Sequence, residues 1–291
     1  MSKWGKHMRI RASVAVVTGA LALSALSIPS AQAADGGVDL PKAQDIVKSL
    51  GPSAFSSSAG KITKVTINGG KNIAVGTAKK KFSVEISATD KKGVEFAIGF
   101  LWRGNTLENS TASLGPEEPT GDPCKYTATT ATCKFTYVAD PKVDLTNKDA
   151  GNWKFLALAF RPADPDNPDD DGLIAAEENF KSAKVLRASK LTAKATPDPI
   201  KKGKTLTIGG ALTRANWDNL KYAGYTAQPV KLQFQKKGTT TWTTVKTIKS
   251  DSRGNLKTTV KAERDGSFRY SFAGTSTTPA INSSADAVDV R

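Results

Sequence analysis

Seven acidic residues and no basic residue lie between residues 162 and 180, and their spacing suits a calcium site. An EF-hand loop supplies oxygen ligands from positions 1, 3, 5, 7 and 12 and carries glycine at position 6. With Gly172 at position 6, the ligands fall in the following order: Asn167, Asp169, Asp171, the carbonyl of Leu173 and the bidentate carboxylate of Glu178. The pattern predicts that this acidic segment (164–178) binds Ca²⁺.

Two features of the acidic segment depart from an EF-hand. Position 1 is Asn167, which removes one negative charge from the ligand set. Residues 153–160 and 181–187 both alternate between apolar and polar side chains, so the loop is expected between two strands instead of two helices. The alternative is a solvated acidic hairpin loop without a metal, and the sequence leaves both interpretations open.

The chain has 291 residues, and its single histidine is His7. A Ser-His-Asp triad, a Cys-His dyad and a histidine-based zinc site are therefore excluded from everything after residue 7. The pairs of adjacent glutamates lie in predicted loops that outline no cleft for glycoside hydrolysis. We therefore expect a protein that is not an enzyme.

The first 33 residues have the three parts of a secretory signal peptide. Four bases come first: Lys3, Lys6, Arg9 and Arg11. An apolar run over 12–28 and an Ala-Gln-Ala cleavage site at 31–33 follow. The alternative interpretation of this segment is an N-terminal membrane anchor. No later run is long and apolar enough to span a membrane, so a secreted or wall-associated chain of residues 34–291 is predicted. In an exported protein Cys124 and Cys133 are expected to form one disulfide.

The remaining chain divides into three parts. Residues 34–60 read as a short helical lead-in over 41–50 followed by a Ser/Ala-rich linker. Residues 61–187 and 188–291 each contain six or seven short segments of period two, separated by Gly, Pro, Asn and Asp turns. This spacing predicts an all-β chain with two tandem antiparallel Ig-like β-sandwich domains, the first carrying the disulfide and the acidic segment.

The two predicted sandwiches differ in charge. Residues 61–187 have a net charge of +1, whereas residues 188–291 have a net charge of +11. A basic surface attracts polyanions, so the second domain is expected to bind an anionic cell-wall or extracellular polymer. The alternative is that the lysines protect edge strands from pairing with other chains. We expect no sequence-specific binding of nucleic acid, and a monomer.

Three aromatic residues in the second domain, Trp217, Tyr222 and Tyr225, lie in a stretch without clear alternation. Near Asn and Asp side chains, exposed rings of this kind stack on sugars. The alternative is that Trp217 and one tyrosine fill the interior between strands.

Segments 212–217, 221–225 and 268–278 resemble a family of secreted actinobacterial proteins, some of which are labelled calcium-binding. The resemblance covers most of the chain after the signal peptide and is strongest over 188–291. It implies secretion and Ig-like β modules, and it supplies no catalytic residues.

Overall fold

The structure is a computed structural model that describes residues 59–164, 166–167, 170 and 172–291. The predicted signal peptide lies outside the described residues, as do the predicted helix and all of the predicted linker except residues 59 and 60. In the described part the backbone forms β-strands and two 3-10 turns, Asn68–Gly70 and Asn147–Asp149. No helix in this part is long and apolar enough to cross a bilayer.

Among the described residues, the first sandwich contains nine strands: β1 (Lys61–Ile67), β2 (Ile73–Val75), β3 (Lys80–Thr89), β4 (Phe96–Arg103), β5 (Ala112–Leu114), β6 (Cys124–Tyr126), β7 (Thr130–Ala139), β8 (Gly151–Phe160) and β9 (Leu173–Arg187). One sheet has the order β1-β3-β7-β6 and the other has the order β2-β9-β8-β4-β5. The pairs are antiparallel except for β2 and β9, which are parallel, so the prediction of a purely antiparallel first domain is wrong at this edge.

The second sandwich, within the described range 172–291, contains ten strands: β10 (Ser189–Leu191), β11 (Lys194–Thr196), β12 (Thr205–Asn216), β13 (Lys221–Gly224), β14 (Pro229–Lys236), β15 (Thr243–Lys249), β16 (Asn255–Lys261), β17 (Gly266–Phe272), β18 (Ile281–Asn282) and β19 (Asp286–Val288). Strand β12 pairs with β10, β11, β13 and β16, and the facing sheet has the order β15-β14-β17-β18 with β19 also on β17. The prediction of an all-β fold with two tandem sandwiches is confirmed.

Alternation of apolar and polar side chains explains why these segments form strands. In β3 the side chains of Phe82, Val84, Ile86 and Ala88 are buried, and the residues between them are partly exposed. Successive side chains of a strand point to opposite faces, so this pattern buries one face of the sheet against its partner. The same argument applies to β17, where Phe268, Tyr270 and Phe272 are buried.

Each sandwich contains one buried tyrosine whose hydroxyl links its two sheets. Tyr137 on β7 donates to the carbonyl of Gly99 on β4 at 2.6 Å, and Tyr270 on β17 donates to the carbonyl of Ile208 on β12 at 2.9 Å. Burial raises the pKa of both phenols, that of Tyr270 to about 12. A buried phenol keeps its proton because the ionised form would lose its hydration.

The predicted disulfide is present between Cys124 on β6 and Cys133 on β7, which lie directly opposite each other in the sheet. The nine-residue separation encloses a short hairpin. The bond therefore stabilises this hairpin locally and does not link the two sandwiches.

The two sandwiches meet at a joint centred on Trp217. This side chain is 2% exposed and packs with the core of the first sandwich, although it follows β12 of the second. Its indole N–H donates to the carbonyl of Val75 at 3.2 Å. The connection between β9 and β10 is Ala188, which donates to Val75 O at 2.8 Å and accepts from Ala215 N at 2.8 Å.

Asn147, on a 3-10 turn of the first sandwich, completes the joint. Its side-chain oxygen accepts from the backbone N–H of Trp217 at 2.9 Å, and its Nδ2 donates to Asn216 Oδ1 at 2.7 Å and to Asp218 Oδ2. Its own N–H donates to Asp218 Oδ1 at 2.9 Å. A buried aromatic ring surrounded by these bonds fixes the two sandwiches relative to each other.

Candidate functional site

The described part of the acidic segment is organised by Asp170. Its Oδ2 accepts from the backbone N–H of Asp164 at 2.7 Å and pairs with Arg161 Nη1 at 2.8 Å, and its Oδ1 accepts from Gly172 N at 3.1 Å. The backbone N–H groups of Asp164 and Gly172, followed by the Arg161 guanidinium, lower the pKa of this carboxyl. Asp170 and Arg161 were not among the predicted site residues, because a spacing rule does not detect an ion pair across a hairpin.

Glu178 lies five residues along β9 from Leu173, the predicted ligand at the start of that strand. Glu178 lies on β9, where its Oε1 accepts from Leu107 N at 3.3 Å and its carbonyl accepts from the Trp102 indole at 2.9 Å. Strand β9 begins at Leu173, opposite Phe160, and five residues of extended chain span about 16 Å. A loop closed at Gly172 therefore does not recruit Glu178, which corrects that part of the predicted ligand set.

The other predicted calcium ligands stay a prediction. Asp169 and Asp171 lie outside the described residues, and Asn167 is described on the exposed side of the hairpin loop. The described residues contain no group of three or more acidic, cysteine or histidine side chains that could hold a metal. A Ca²⁺ site here would draw its ligands from residues 164–173, including the predicted carbonyl of Leu173.

The three predicted stacking aromatics do not form one exposed platform. Trp217 is buried in the joint, so the prediction that it stacks on a sugar is wrong. Tyr222 and Tyr225 are half-buried, with Lys190 Nζ 4.0 Å above the first ring and the Arg214 guanidinium 3.9 Å above the second. Trp217 does fill an interior, as the alternative predicts, but that interior is the core of the first sandwich at the joint.

A cleft of about 640 Å³ opens between the edge strands β15 and β16 of the second sandwich. Within the described residues β15 pairs with β14 and β16 pairs with β12, so these two strands leave the sandwich open on this side. The floor is apolar and is formed by Leu206, Phe234, Val260, Phe268, Val288 and Val290. We call it the basic cleft because basic side chains line its rim.

Four bases line the rim of the basic cleft: Lys236, Lys246, Lys261 and Arg264. All four are exposed, and Glu263 is the acid among the lining residues. Four threonines, Thr239, Thr241, Thr243 and Thr259, add hydroxyl groups. Positive charge and hydroxyl donors above an apolar floor suit an anionic ligand that also has an apolar part.

The sequence alone did not show the basic cleft. Its bases come from the end of β14, from β15, from the end of β16 and from the following turn, and they meet because two sheets pack face to face. The net charge of +11 over 188–291 indicated the domain but not the place on it.

No family model matches the chain, and no curated protein matches it. Three solved structures are similar to this chain. The D00-D0 domain of intimin has 14% sequence identity and a TM-score of 0.25, and the match covers 77% of this chain and 99% of that chain. The Yersinia pseudotuberculosis adhesin InvE has 10% identity and a TM-score of 0.25 (79% of this chain, 58% of that chain), and a marsupial T cell receptor has 12% identity and a TM-score of 0.32 (79% of this chain, 73% of that chain). Because these TM-scores are low, the three structures support no conclusion about what this chain binds. The actinobacterial family and its calcium-binding label stay predictions.

Proposed function

We propose that this chain is a non-catalytic, adhesion-like extracellular protein whose second sandwich binds an anionic cell-wall or extracellular polymer at the basic cleft. The observation that carries the proposal is the convergence of four exposed bases from separate strands and turns on one cleft. The predicted signal peptide and the disulfide support an extracellular location.

Charge is the physical basis of this proposal. A polyanion that contacts several lysines releases its condensed counterions, which favours binding at low salt. The threonine hydroxyls can donate to the oxygens of phosphate, sulfate or carboxylate groups, and the apolar floor can accept the carbon skeleton of a repeat unit.

The test of polymer binding compares two variants of residues 34–291 that lose equal charge. One replaces the rim bases Lys236, Lys246, Lys261 and Arg264 with glutamine, and the control replaces Lys64, Lys125, Lys134 and Lys142, which are exposed on the first sandwich. Binding to an anionic wall preparation is measured as a function of NaCl concentration. We expect the rim variant to reduce the salt slope by about 3, since each anionic contact contributes about 0.7–0.9.

The control should bind like the unmodified chain. If both variants lose affinity equally, net charge and not the cleft governs retention. If neither loses affinity, the lysines protect edge strands as the alternative holds.

Calcium binding by the acidic segment is a second proposal, carried by the five aspartates between residues 164 and 171. At millimolar Ca²⁺ we expect the free energy of unfolding to rise by roughly 1 kcal/mol, the value for a site with a Kd of about 10⁻⁴–10⁻³ M. Replacing Asp169 and Asp171 with asparagine should abolish this rise, whereas Glu178→Gln should leave it intact because Glu178 lies along β9. Urea unfolding with Ca²⁺ or Mg²⁺ measures the effect, and an equal response to both ions would contradict a calcium site.

A further inference from the structure

Two arginines meet at the joint between the sandwiches. Arg187 ends β9, and its Nε donates to the carbonyl of Ala215 at 2.6 Å, the residue that follows Arg214 on β12. Both arginines also contact Thr277: Arg187 N donates to Thr277 O at 3.0 Å, and Arg214 Nη1 lies 3.5 Å from Thr277 Oγ1. The Arg187 backbone and the Arg214 guanidinium therefore both contact Thr277, and the two cationic side chains lie close enough to repel each other.

Neither guanidinium has a carboxylate partner in the part of the chain that the structure describes. The ion pairs found there involve other bases. The nearby acid is Asp218, and both of its oxygens already accept hydrogen bonds from Asn147. Burial, and next the charge of Arg214, lower the pKa of Arg187 to about 10.

Hydroxyl groups and an aromatic ring surround the two arginines. The Arg214 guanidinium lies 3.9 Å above the ring of Tyr225, which holds its plane in place. Tyr225 Oη is 3.3 Å from Thr275 Oγ1, and Arg214 Nη1 is 3.4 Å from the hydroxyl of the buried Thr278. The contacts of Arg214 to the threonines are long, so its strong donors remain available to a better acceptor.

We propose that Arg187 and Arg214, with the hydroxyls of Thr275 and Thr277, bind a tetrahedral oxoanion such as a phosphate or sulfate group at the joint. Two half-buried like charges repel each other, a bound anion would offset that repulsion, and a guanidinium pairs with phosphate oxygens through two parallel hydrogen bonds. Arg214 is eight residues from Leu206 of the basic cleft along β12, about 26 Å, so this site is separate from the polymer site proposed above.

The test uses residues 34–291 and measures the affinity for inorganic sulfate and inorganic phosphate by calorimetry. The thermal midpoint in each salt is also compared with that in chloride at equal ionic strength. We expect Arg214→Gln to weaken both anions at least tenfold. The matched control is Arg269→Gln, because Arg269 is also half-buried, stacks 4.0 Å above Trp242 and donates to Gln233 at 2.9 Å.

Arg187→Gln removes the bond to Ala215 as well, so Arg214→Gln is the decisive variant. If Arg214→Gln and Arg269→Gln both respond like the unmodified chain, the anions act by general exclusion from the protein surface and the proposal is overturned. The same holds if the unmodified chain binds neither anion.

Dimethyl phosphate separates two sources of the same chemistry. Binding of this diester, with loss in Arg214→Gln, identifies a phosphodiester group of a polymer, whereas binding of inorganic phosphate alone identifies a free anion or a monoester. The rim variant of the basic cleft should bind sulfate normally whether or not it binds the wall preparation. Failure of one proposal is therefore distinguishable from failure of the other.

Discussion

Replacing Trp217 with alanine is expected to lower the free energy of unfolding by about 3–5 kcal/mol, the range for truncating a fully buried aromatic side chain. The ring belongs to the second sandwich but packs in the core of the first, and it donates to the carbonyl of Val75. The substitution therefore leaves a cavity at the joint and removes one of two donors to the Val75 carbonyl, which keeps its bond from Ala188 N. It should also divide one unfolding transition into two, since the sandwiches would no longer unfold together.

Urea unfolding followed by far-UV circular dichroism measures both effects. Trp242→Ala is the matched control, because Trp242 is half-buried on the surface of the second sandwich and contacts Arg269. Its loss should cost no more than about 1 kcal/mol. A Trp217→Ala protein that unfolds in one transition with nearly unchanged stability would show that the joint does not couple the sandwiches.

Alkaline pH is expected to destabilise the fold through the two buried tyrosines. In the unfolded chain a phenol ionises near pH 10, whereas in the folded chain burial raises the pKa of Tyr270 to about 12 and that of Tyr137 further. Above pH 10 the unfolded state binds fewer protons than the folded state, so stability falls as pH rises towards 12. Two pKa units for Tyr270 correspond to about 3 kcal/mol.

Urea midpoints measured between pH 8 and pH 11.5 test this expectation. Tyr270→Phe should reduce the slope of stability against pH, and at pH 7 it should cost about 1 kcal/mol because Ile208 O loses its donor. Tyr225→Phe is the control, since its hydroxyl lies at the exposed contact with Thr275. An unchanged slope in a protein lacking both Tyr137 and Tyr270 hydroxyls would refute this explanation.

Features that depend on local alternation could be predicted from the sequence. Phe82, Val84 and Ile86 alternate with polar residues and form a strand with one buried face. The Cys124–Cys133 bond could also be predicted, since two cysteines in an exported chain have no other partner. These predictions rest on residues close together along the chain.

Features that depend on distant packing could not be predicted. The EF-hand pattern is a spacing of twelve residues that includes Gly172. It carries no information that β9 starts at Leu173, so that Glu178 lies five residues along an extended strand. Trp217 lies in a stretch without alternation because its environment comes from the other sandwich. Thr277, which contacts both the Arg187 backbone and the Arg214 guanidinium, is ninety residues from Arg187 along the chain.

The position of Trp217 has a consequence for the order in which the chain acquires its structure. The first sandwich ends at Arg187, yet its core includes Ala215 and Trp217, which are synthesised about thirty residues later. A chain that emerges from the ribosome or from an export channel with its N-terminus first presents β1 to β9 before the side chain that completes their core. Until residue 217 emerges, the first sandwich exposes the apolar surface that Trp217 will cover, and its final packing waits for its neighbour.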